Sequence, residues 1–570
     1  MIYDSHYPEP PPIPDQNAVL HYLYHPDQKE WQDFTLFIEA NSGKKVSFFE
    51  FRKRVEDGIT ALGGDVSQGG LGLGDNDIVG IVSENSIDYV TLAYSLLGNK
   101  VVFALISGYS TPFELASAFK LCTISHLFVS KSLFPRALAA CKQGGLSPDK
   151  IYLLDGQDKR RKSFPDLIDH VRKNGSPKVP IRRTRHDELA YLAASSGTTG
   201  LPKAVMVTHG NIMFATLQVD VVNQALLEVQ QPKPLSTPEG IPTVLVFLPF
   251  HHSYGVYVTF FRAFSAPQTC VIMSKWNVAE GIKAIKQYHI TSIPLIPSVV
   301  HQILNYPGIQ ADDLKTIQAV SCGAAYLPPA FAEKLSSLIS PDAIFLPGYG
   351  LSEAPMASMA TPFPGILGGK LPAPEVPHPT GVLYPGQKAR IMKDDGTLAK
   401  PGEPGELQLF GRNLTKGYWN NKKATEEAFL SDGWLRTGDR FWADKNGYFL
   451  YDTLKVSGSQ VSPTEIEDCL LAHPKKLIVD VSVAGIKGGR TEDEHIPRAW
   501  IVLSATGKEL GAQEVISELD AWHKERLSKY KWLRGGIEVI DEIPKSPTGK
   551  TLRRVLRERF DAKGKVNSKL

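Results

Sequence analysis

The sequence has few cysteines, little excess of charge of either sign and no long apolar segment. Five cysteines, at positions 122, 141, 270, 322 and 469, are scattered through 570 residues without a C-x-x-C pair. This pattern predicts reduced thiols in a reducing compartment and argues against a disulfide framework or a zinc site. Lysine and arginine total 63 against 60 acidic residues, a net charge of +3. The charge balance therefore gives no reason to expect a nucleic-acid partner.

Segments that would direct the chain to a membrane or to secretion are also missing. Apolar runs such as Thr243–Leu248 are far shorter than the roughly 20 residues of a membrane helix. Residues 1–17 are acidic and rich in proline, whereas a signal peptide is basic and then apolar. We therefore expect a soluble protein with no membrane span.

The chain is longer than one hydrophobic core usually serves, so two or more domains are expected. A β-branched run at Asp77–Ser83, helical periodicity over Tyr89–Leu97 and a second run at Val101–Ile106 predict βαβ units and an α/β fold. From about Gly381 the pattern changes to short strands with glycine-rich turns, which favours a β-barrel or antiparallel sheet. A last unit, of alternating strands and helices, is predicted from about Asp452.

The segment Ser195–Lys203, SSGTTGLPK, has the composition of a loop that holds phosphates. Glycines bring backbone N–H groups close to an anion, hydroxyls add donors and lysine adds positive charge. The spacing differs from G-x-x-x-x-G-K-[ST], so a standard P-loop is excluded. Taken alone, the segment is equally compatible with a flexible turn.

Four further motifs follow along the chain: Leu248–Gly255 (LPFHHSYG), Gly348–Glu353 (GYGLSE), Gly433–Asp439 (GWLRTGD) and Pro544–Lys550 (PKSPTGK). Each has an ordinary structural interpretation when it is taken alone. The histidines suit a core or a loop, the tyrosine suits a buried turn, and the lysine suits a solvated surface. Their order along one chain is more informative than any one of them.

With SSGTTGLPK, these motifs resemble the adenylate-forming superfamily of acyl-CoA ligases, adenylation domains and beetle luciferases. The resemblance covers nearly the whole chain and is greatest to 4-coumarate:CoA ligase and to fungal aryl- and acyl-CoA ligases. It implies an N-terminal domain, 1–451, of two α/β subdomains and a β-barrel at about 381–450. It also implies a small, mobile α+β C-terminal domain, 452–570.

The resemblance implies that a carboxylate attacks the α-phosphorus of ATP, with Mg²⁺ present, to give an acyl-adenylate and pyrophosphate, and that CoA then takes the acyl group. Such chemistry asks the protein mainly for positioning and electrostatic stabilisation. Lys550 would bridge the carboxylate and the α-phosphate, Glu353 would hold Mg²⁺ and Asp439 would bind the ribose. The remaining implied nucleotide contacts are Ser195, Ser196, Gly197, Thr198, Thr199, Gly200, Lys203, Gly323, Ala324, Ala325, Gly348, Tyr349, Gly350 and Ser352.

For the second step, the family rotates its C-terminal domain, so that Lys550 leaves and the segment of Lys455, Gly458 and Gln460 arrives beside the pantetheine tunnel. His252 would line the acyl pocket and gate access of the thiol. The other side chains implied for the acyl pocket are Tyr254, Ser321, Gly348 and Met356. The sequence does not identify the acid beyond an aromatic or medium-length acyl chain.

The segment Phe449–Gln460 departs from the family pattern V-D-R-L-K-E-L-I-K-x-K-G-F-Q. Aligned without a gap, Lys455 matches the second lysine, and Phe449 and Tyr451 stand where the arginine and first lysine are expected. Matched instead to D-R-L-K, Lys455 is the first lysine and Thr453 replaces the arginine. The arginine is missing in both alignments, and no neutral side chain replaces its planar charge. Ala204 stands where the family has a glycine after the loop lysine.

The sequence thus predicts an AMP-forming carboxylate:CoA ligase. The residues Ser568–Leu570 read S-K-L, the signal that the peroxisomal import receptor binds, so a peroxisomal location is expected. Three alternatives stay open. They are transfer of the acyl group to an amine or another acceptor, a luciferase-like oxygenase, and a noncatalytic nucleotide-binding or scaffold protein.

Overall fold

A computed structural model describes the chain except residues 159, 196–202, 232–233, 311, 325–326, 328, 376–378, 394, 452–453, 457–458, 462, 488–494, 528–530, 546–550 and 568–570. For some residues beside these gaps, among them 454–456 and 459–461, only the backbone is described. Predictions that concern Thr198, Ala325, Gly458, Lys550 and the S-K-L residues therefore lie outside the described residues.

The strands, in chain order, are β1 (Ile2–Asp4), β2 (Thr35–Glu39), β3 (Lys45–Ser47), β4 (Ile78–Val82), β5 (Val102–Ile106), β6 (His126–Val129), β7 (Ile151–Leu153), β8 (Leu189–Ser195), β9 (Lys203–Thr208), β10 (Thr243–Val246), β11 (Thr269–Ile272), β12 (Ser292–Leu295) and β13 (Ala319–Cys322). They continue as β14 (Ile344–Leu351), β15 (Ala354–Ala360), β16 (Val382–Leu383), β17 (Gln387–Met392), β18 (Gly405–Gly411), β19 (Leu435–Ala443), β20 (Phe449–Tyr451), β21 (Leu454–Val456), β22 (Ser459–Val461), β23 (Ile478–Lys487), β24 (His495–Leu503) and β25 (Ile537–Val539).

The helices are α1 (Ala18–Leu23), α2 (Phe48–Gly63), α3 (Ile87–Gly98), α4 (Pro112–Leu121), α5 (Phe134–Gly144), α6 (Phe164–Asn174), α7 (His209–Leu227), α8 (Ser253–Val256), α9 (Val278–Gln287), α10 (Pro297–Leu304), α11 (Pro329–Leu338), α12 (Lys422–Ala428), α13 (Pro463–Leu471), α14 (Ala505–Leu510), α15 (Ala512–Arg526) and α16 (Arg553–Asn567). Polar residues mark many of their starts. The side chains of Ser47, Ser86 and Thr208 each accept a hydrogen bond from the first turn of the helix that follows, which satisfies N–H groups that have no partner within the helix.

Two parallel-rich sheets form most of the N-terminal part, as the βαβ pattern predicts. The first has the order β7-β6-β4-β5-β8-β9, with only β9 antiparallel to its neighbour. Every residue of β4 is buried, as expected for a strand covered by helices on both faces. The second sheet has the order β16-β15-β14-β13-β12-β10-β11-β2-β3 and is parallel from β14 to β2.

An antiparallel sheet of order β1-β17-β18-β19-β20 occupies the region for which a β-barrel is predicted. Its first strand comes from the beginning of the chain, because Ile2 pairs with Arg390. The rings of Tyr3 in β1 and Phe449 in β20 contact each other edge to face, with centroids 5.3 Å apart. The sheet therefore curls so that its two end strands approach each other.

The C-terminal part contains the β21–β22 hairpin and a sheet of order β23-β24-β25. Its helices bury a separate apolar cluster around Ile466, Val483, Ile501 and Leu519. This mixture of strands and helices matches the predicted α+β unit. Among the described residues, no helix is long and apolar enough to cross a membrane.

Candidate functional site

The loop predicted to hold phosphates lies between two paired strands. Ser195 ends β8, Lys203 begins β9, and these residues pair with each other across the antiparallel hairpin. The Lys203 ammonium lies over the ring of Tyr418, 4.8 Å from its centroid. The two described ends of the predicted loop are thus held by strand pairing, and the lysine has an aromatic contact.

The carboxylate predicted to hold magnesium is at the centre of a small hydrogen-bonded cluster. Glu353 is 8% exposed, and its Oε1 accepts hydrogen bonds from the hydroxyls of Ser195 and Tyr418, each at 2.9 Å. Burial, and next the charge of Glu353, raise the pKa of Tyr418, so this phenol remains a donor. Three residues that are far apart in the sequence are therefore joined around one carboxylate.

Sequence reasoning did not identify Tyr418. It belongs to the segment Lys416–Trp419, which lies along β9: the N–H of Met206 donates to the Gly417 carbonyl, and the N–H of Trp419 donates to that of Ala204. Gly417 has φ +107°, and a Cβ there would meet the Thr425 side chain at 2.3 Å, so only glycine fits. A glycine followed by two aromatic residues was the signal in the sequence.

The motif Gly348–Glu353 lies in a hairpin. Strand β14 runs through the motif to Leu351, and the chain then reverses into β15. The backbone is close enough there to require glycine, since a Cβ on Gly350 would lie 2.2 Å from the Met356 carbonyl oxygen. Met356 itself has φ +75°, a conformation that is uncommon for a residue with a side chain.

Two of the predicted nucleotide-binding residues, Tyr349 and Asp439, are brought together. The Tyr349 hydroxyl donates to Asp439 Oδ2 at 2.8 Å, and its ring packs edge to face on Phe441, with centroids 5.0 Å apart. Burial, and next the neighbouring Asp439, raise the pKa of Tyr349 well above its usual range. The second oxygen of Asp439 accepts a hydrogen bond from the hydroxyl of Tyr451 at 3.1 Å.

Two of the predicted acyl-pocket residues, Tyr254 and Ser321, meet near the end of strand β13 in the second sheet, and strand ends are the usual place for ligands in α/β folds. The hydroxyls of Tyr254 and Ser321 are 2.9 Å apart. A Cβ on Gly323, which follows β13, would lie 3.5 Å from the Gly348 carbonyl oxygen and 3.7 Å from the Tyr254 ring. Burial raises the pKa of Tyr254, so its hydroxyl is protonated at neutral pH.

His252 is the N-cap residue of α8, and its Nδ1 accepts a hydrogen bond from the N–H of Tyr254 at 3.4 Å. Burial, with a smaller effect of His252, lowers the pKa of the neighbouring His251 to about 3. The side chain of buried Asn85, a residue that sequence reasoning also missed, holds the preceding segment, Leu248–Phe250, in place. It donates to the Leu248 carbonyl at 3.0 Å and accepts from the N–H of Phe250 at 3.0 Å.

The structure describes fewer contacts for the remaining predicted site residues. Ser352 accepts a hydrogen bond from the Ser253 hydroxyl at 3.0 Å, and Ala324 has φ +69°. The backbones of Lys455 and Gln460 pair in the β21–β22 hairpin. Within the described part of the chain, no group of three or more His, Cys, Asp or Glu residues is arranged to hold a metal ion.

Comparison with protein-family models matches residues 26–419 to the family described as AMP-binding enzyme and residues 465–550 to the AMP-binding enzyme C-terminal domain. A Dictyostelium discoideum protein named probable 4-coumarate–CoA ligase 3 is 28% identical, over 96% of this chain and 95% of that protein. Peroxisomal OPC-8:0-CoA ligase 1 of Arabidopsis thaliana is 29% identical, over 91% of this chain and 89% of that protein.

Among solved structures, an anthranilate CoA ligase in complex with anthranoyl-AMP superimposes with a TM-score of 0.78. The two chains are 22% identical, and the match covers 98% of this chain and 99% of the other. At this identity the match establishes the fold. The α/β architecture with a small C-terminal domain, predicted from the motifs, is therefore confirmed.

Proposed function

The chain belongs to the family of AMP-binding enzymes, and we propose that it is an AMP-forming carboxylic acid:CoA ligase that acts on an aromatic or medium-length acyl acid. The observation that carries this proposal is the cluster at Glu353. Ser195 at the phosphate loop and Tyr418 beside Lys203 both donate to this one buried carboxylate. Glu353 in turn lies four positions after Tyr349, whose hydroxyl contacts Asp439.

In the first step, the proposed role of these residues is to position ATP and the acid. Residues 195–203 would hold the β- and γ-phosphates and then the departing pyrophosphate, and Asp439 would accept hydrogen bonds from the ribose hydroxyls. Lys550 would neutralise charge between the attacking carboxylate and the α-phosphate. Fixed donors aimed at developing charge are usually the largest contribution to catalysis of this kind.

The donor set at Glu353 fits Mg²⁺. This ion prefers oxygen ligands and is commonly held by one or two carboxylates together with substrate phosphates and water. Oε1 of Glu353 is oriented by two hydroxyls, so Oε2 is the oxygen we assign to the ion. When bound, Mg²⁺ would supply charge neutralisation at the phosphates.

The acid would lie at the carboxyl edge of the second sheet, against Tyr254, Ser321 and Gly348, with His252 at its rim. We place the domain boundary near Tyr451 and Asp452. The C-terminal domain would bring Lys550 for adenylation and the Lys455–Gln460 hairpin for transfer to CoA. We also propose a peroxisomal location, which the S-K-L residues 568–570 support. Removal of these three residues should disperse a fluorescent fusion that is otherwise punctate.

A screen of carboxylic acids by pyrophosphate release, with and without CoA, tests the function. We expect an aromatic or medium-chain acid to give pyrophosphate, AMP and a CoA thioester. An acyl-adenylate that never becomes a thioester would instead support transfer to an amine or another acceptor. Light emission or oxygen uptake after adenylation would support the oxygenase alternative, and the absence of pyrophosphate release with every acid would favour a noncatalytic nucleotide-binding protein.

A further inference from the structure

Tyr451 is the last residue of β20 and stands at the proposed domain boundary. Its side chain is 44% exposed, and its hydroxyl donates to Asp439 Oδ1 at 3.1 Å. Tyr349 donates to the other oxygen, Oδ2, at 2.8 Å. Both oxygens of the carboxylate assigned to ribose therefore accept a hydrogen bond from a tyrosine.

Edge-to-face contacts among three aromatic rings hold the hydroxyls of Tyr349 and Tyr451 in place. Tyr451 pairs with Phe441 across β19 and β20, and their rings contact edge to face with centroids 5.1 Å apart. The same Phe441 ring contacts that of Tyr349, which lies in β14 of the second sheet, edge to face with centroids 5.0 Å apart. Because Phe441 and Tyr451 lie in the paired strands β19 and β20 and Tyr349 lies in β14, paired with β15, each ring is held by its own strand pairing.

Arg553, a cation of the C-terminal part that interacts electrostatically with this tyrosine, is held by other partners. Arg553, at the start of α16, donates to both oxygens of Glu467, at 2.8 and 3.0 Å, and to the Val483 carbonyl at 3.0 Å. Burial opposes its charge, while Glu467 and, less strongly, Tyr451 raise the pKa of Arg553. The charge of Arg553 is therefore neutralised by Glu467, and the hydrogen bond described for the Tyr451 hydroxyl is the one to Asp439.

We propose that Tyr451 is a positioning residue that orients Asp439 for the nucleotide ribose, in a chain whose boundary segment has no arginine. A carboxylate offers about four lone pairs. Asp439 can therefore accept ribose hydroxyls while both tyrosine hydroxyls stay in place. A carboxylate that is already oriented loses less conformational freedom when the ribose binds. This inference rests on the proposed function.

The test compares wild type with Tyr451→Phe, using ATP and 2′,3′-dideoxy-ATP in the pyrophosphate-release assay. We expect kcat/KM for ATP to fall about fivefold, mainly through a higher KM. With dideoxy-ATP, which lacks the hydroxyls that Asp439 would bind, kcat/KM should fall less than about twofold. A merely structural role would lower both values equally.

Tyr448→Phe is the matched control, because Tyr448 is a buried tyrosine three positions earlier. It should change neither nucleotide's kcat/KM, and thermal melting should show both variants folded. Equal losses with the two nucleotides, or ATP kinetics as good as wild type, would overturn the proposal. If wild type releases no pyrophosphate, calorimetry with AMP and 2′,3′-dideoxy-AMP tests Tyr451 by the same comparison, independently of the reaction.

Discussion

Replacing Tyr418 with phenylalanine removes one hydroxyl and leaves the ring beneath Lys203. The lost hydrogen bond is the one that Glu353 Oε1 accepts at 2.9 Å. Hydrogen bonds to charged groups contribute about 1.5–3 kcal/mol. The Ser195 hydroxyl still donates to the same oxygen, so we take the lower value. If this stabilisation acts on the transition state, about 1.5 kcal/mol corresponds to roughly a tenfold lower kcat/KM for ATP.

The assay is pyrophosphate release with a saturating acid, repeated in a Glu353→Gln background. The hydroxyl acts through the carboxylate, so Tyr418→Phe should cost markedly less once Glu353 is an amide. Ser195→Ala serves as the companion variant, with a loss of similar size. Full activity of Tyr418→Phe, or a loss of equal size in both backgrounds, would refute the role assigned to this cluster.

Three further outcomes are expected. Lys550→Ala should cripple adenylation while calorimetry still detects ATP binding; unchanged activity would remove its assigned role. Tyr254→Phe, which deletes the hydroxyl 2.9 Å from that of Ser321, should change the KM of the acid several-fold and leave that of ATP unchanged. Burial lowers the pKa of His209 to about 4, below its ordinary 6.5, so the folded state resists its protonation. Neutral His209 therefore contributes on the order of 3 kcal/mol to the free energy of unfolding. This contribution is present above pH 6.5 and is lost toward pH 4. Chemical denaturation at several pH values measures this loss, which His209→Gln should reduce.

Much of the fold could be predicted from local pattern. The runs Asp77–Ser83 and Val101–Ile106 became β4 and β5, and the periodicity over Tyr89–Leu97 became α3. These segments are largely buried, and their apolar composition alone is enough to predict that burial. Local pattern did not predict the hairpin at Gly348–Glu353, where β14 continues through Leu351 because β15 pairs with it.

Residues of the site could be predicted only where they belong to one of the sequence motifs. Glu353, Tyr349 and Asp439 were named from the sequence, and the structure joins the last two by a hydrogen bond. Tyr418 and Tyr451 were not assigned these contacts. Tyr418 reaches Glu353 from a segment that is distant in the chain, and the contact of Tyr451 with Asp439 depends on the register of the β19–β20 pair. The sequence around a tyrosine does not indicate whether its hydroxyl reaches a carboxylate in the folded protein.

The most direct test of the central claim is the stoichiometry of products from one acid, ATP and CoA. The adenylation site that we propose around Glu353 and Asp439 predicts one AMP and one pyrophosphate for each CoA thioester, with acyl-adenylate accumulating when CoA is withheld. Formation of ADP and phosphate, or thioester formation without a detectable adenylate and without AMP, would contradict it.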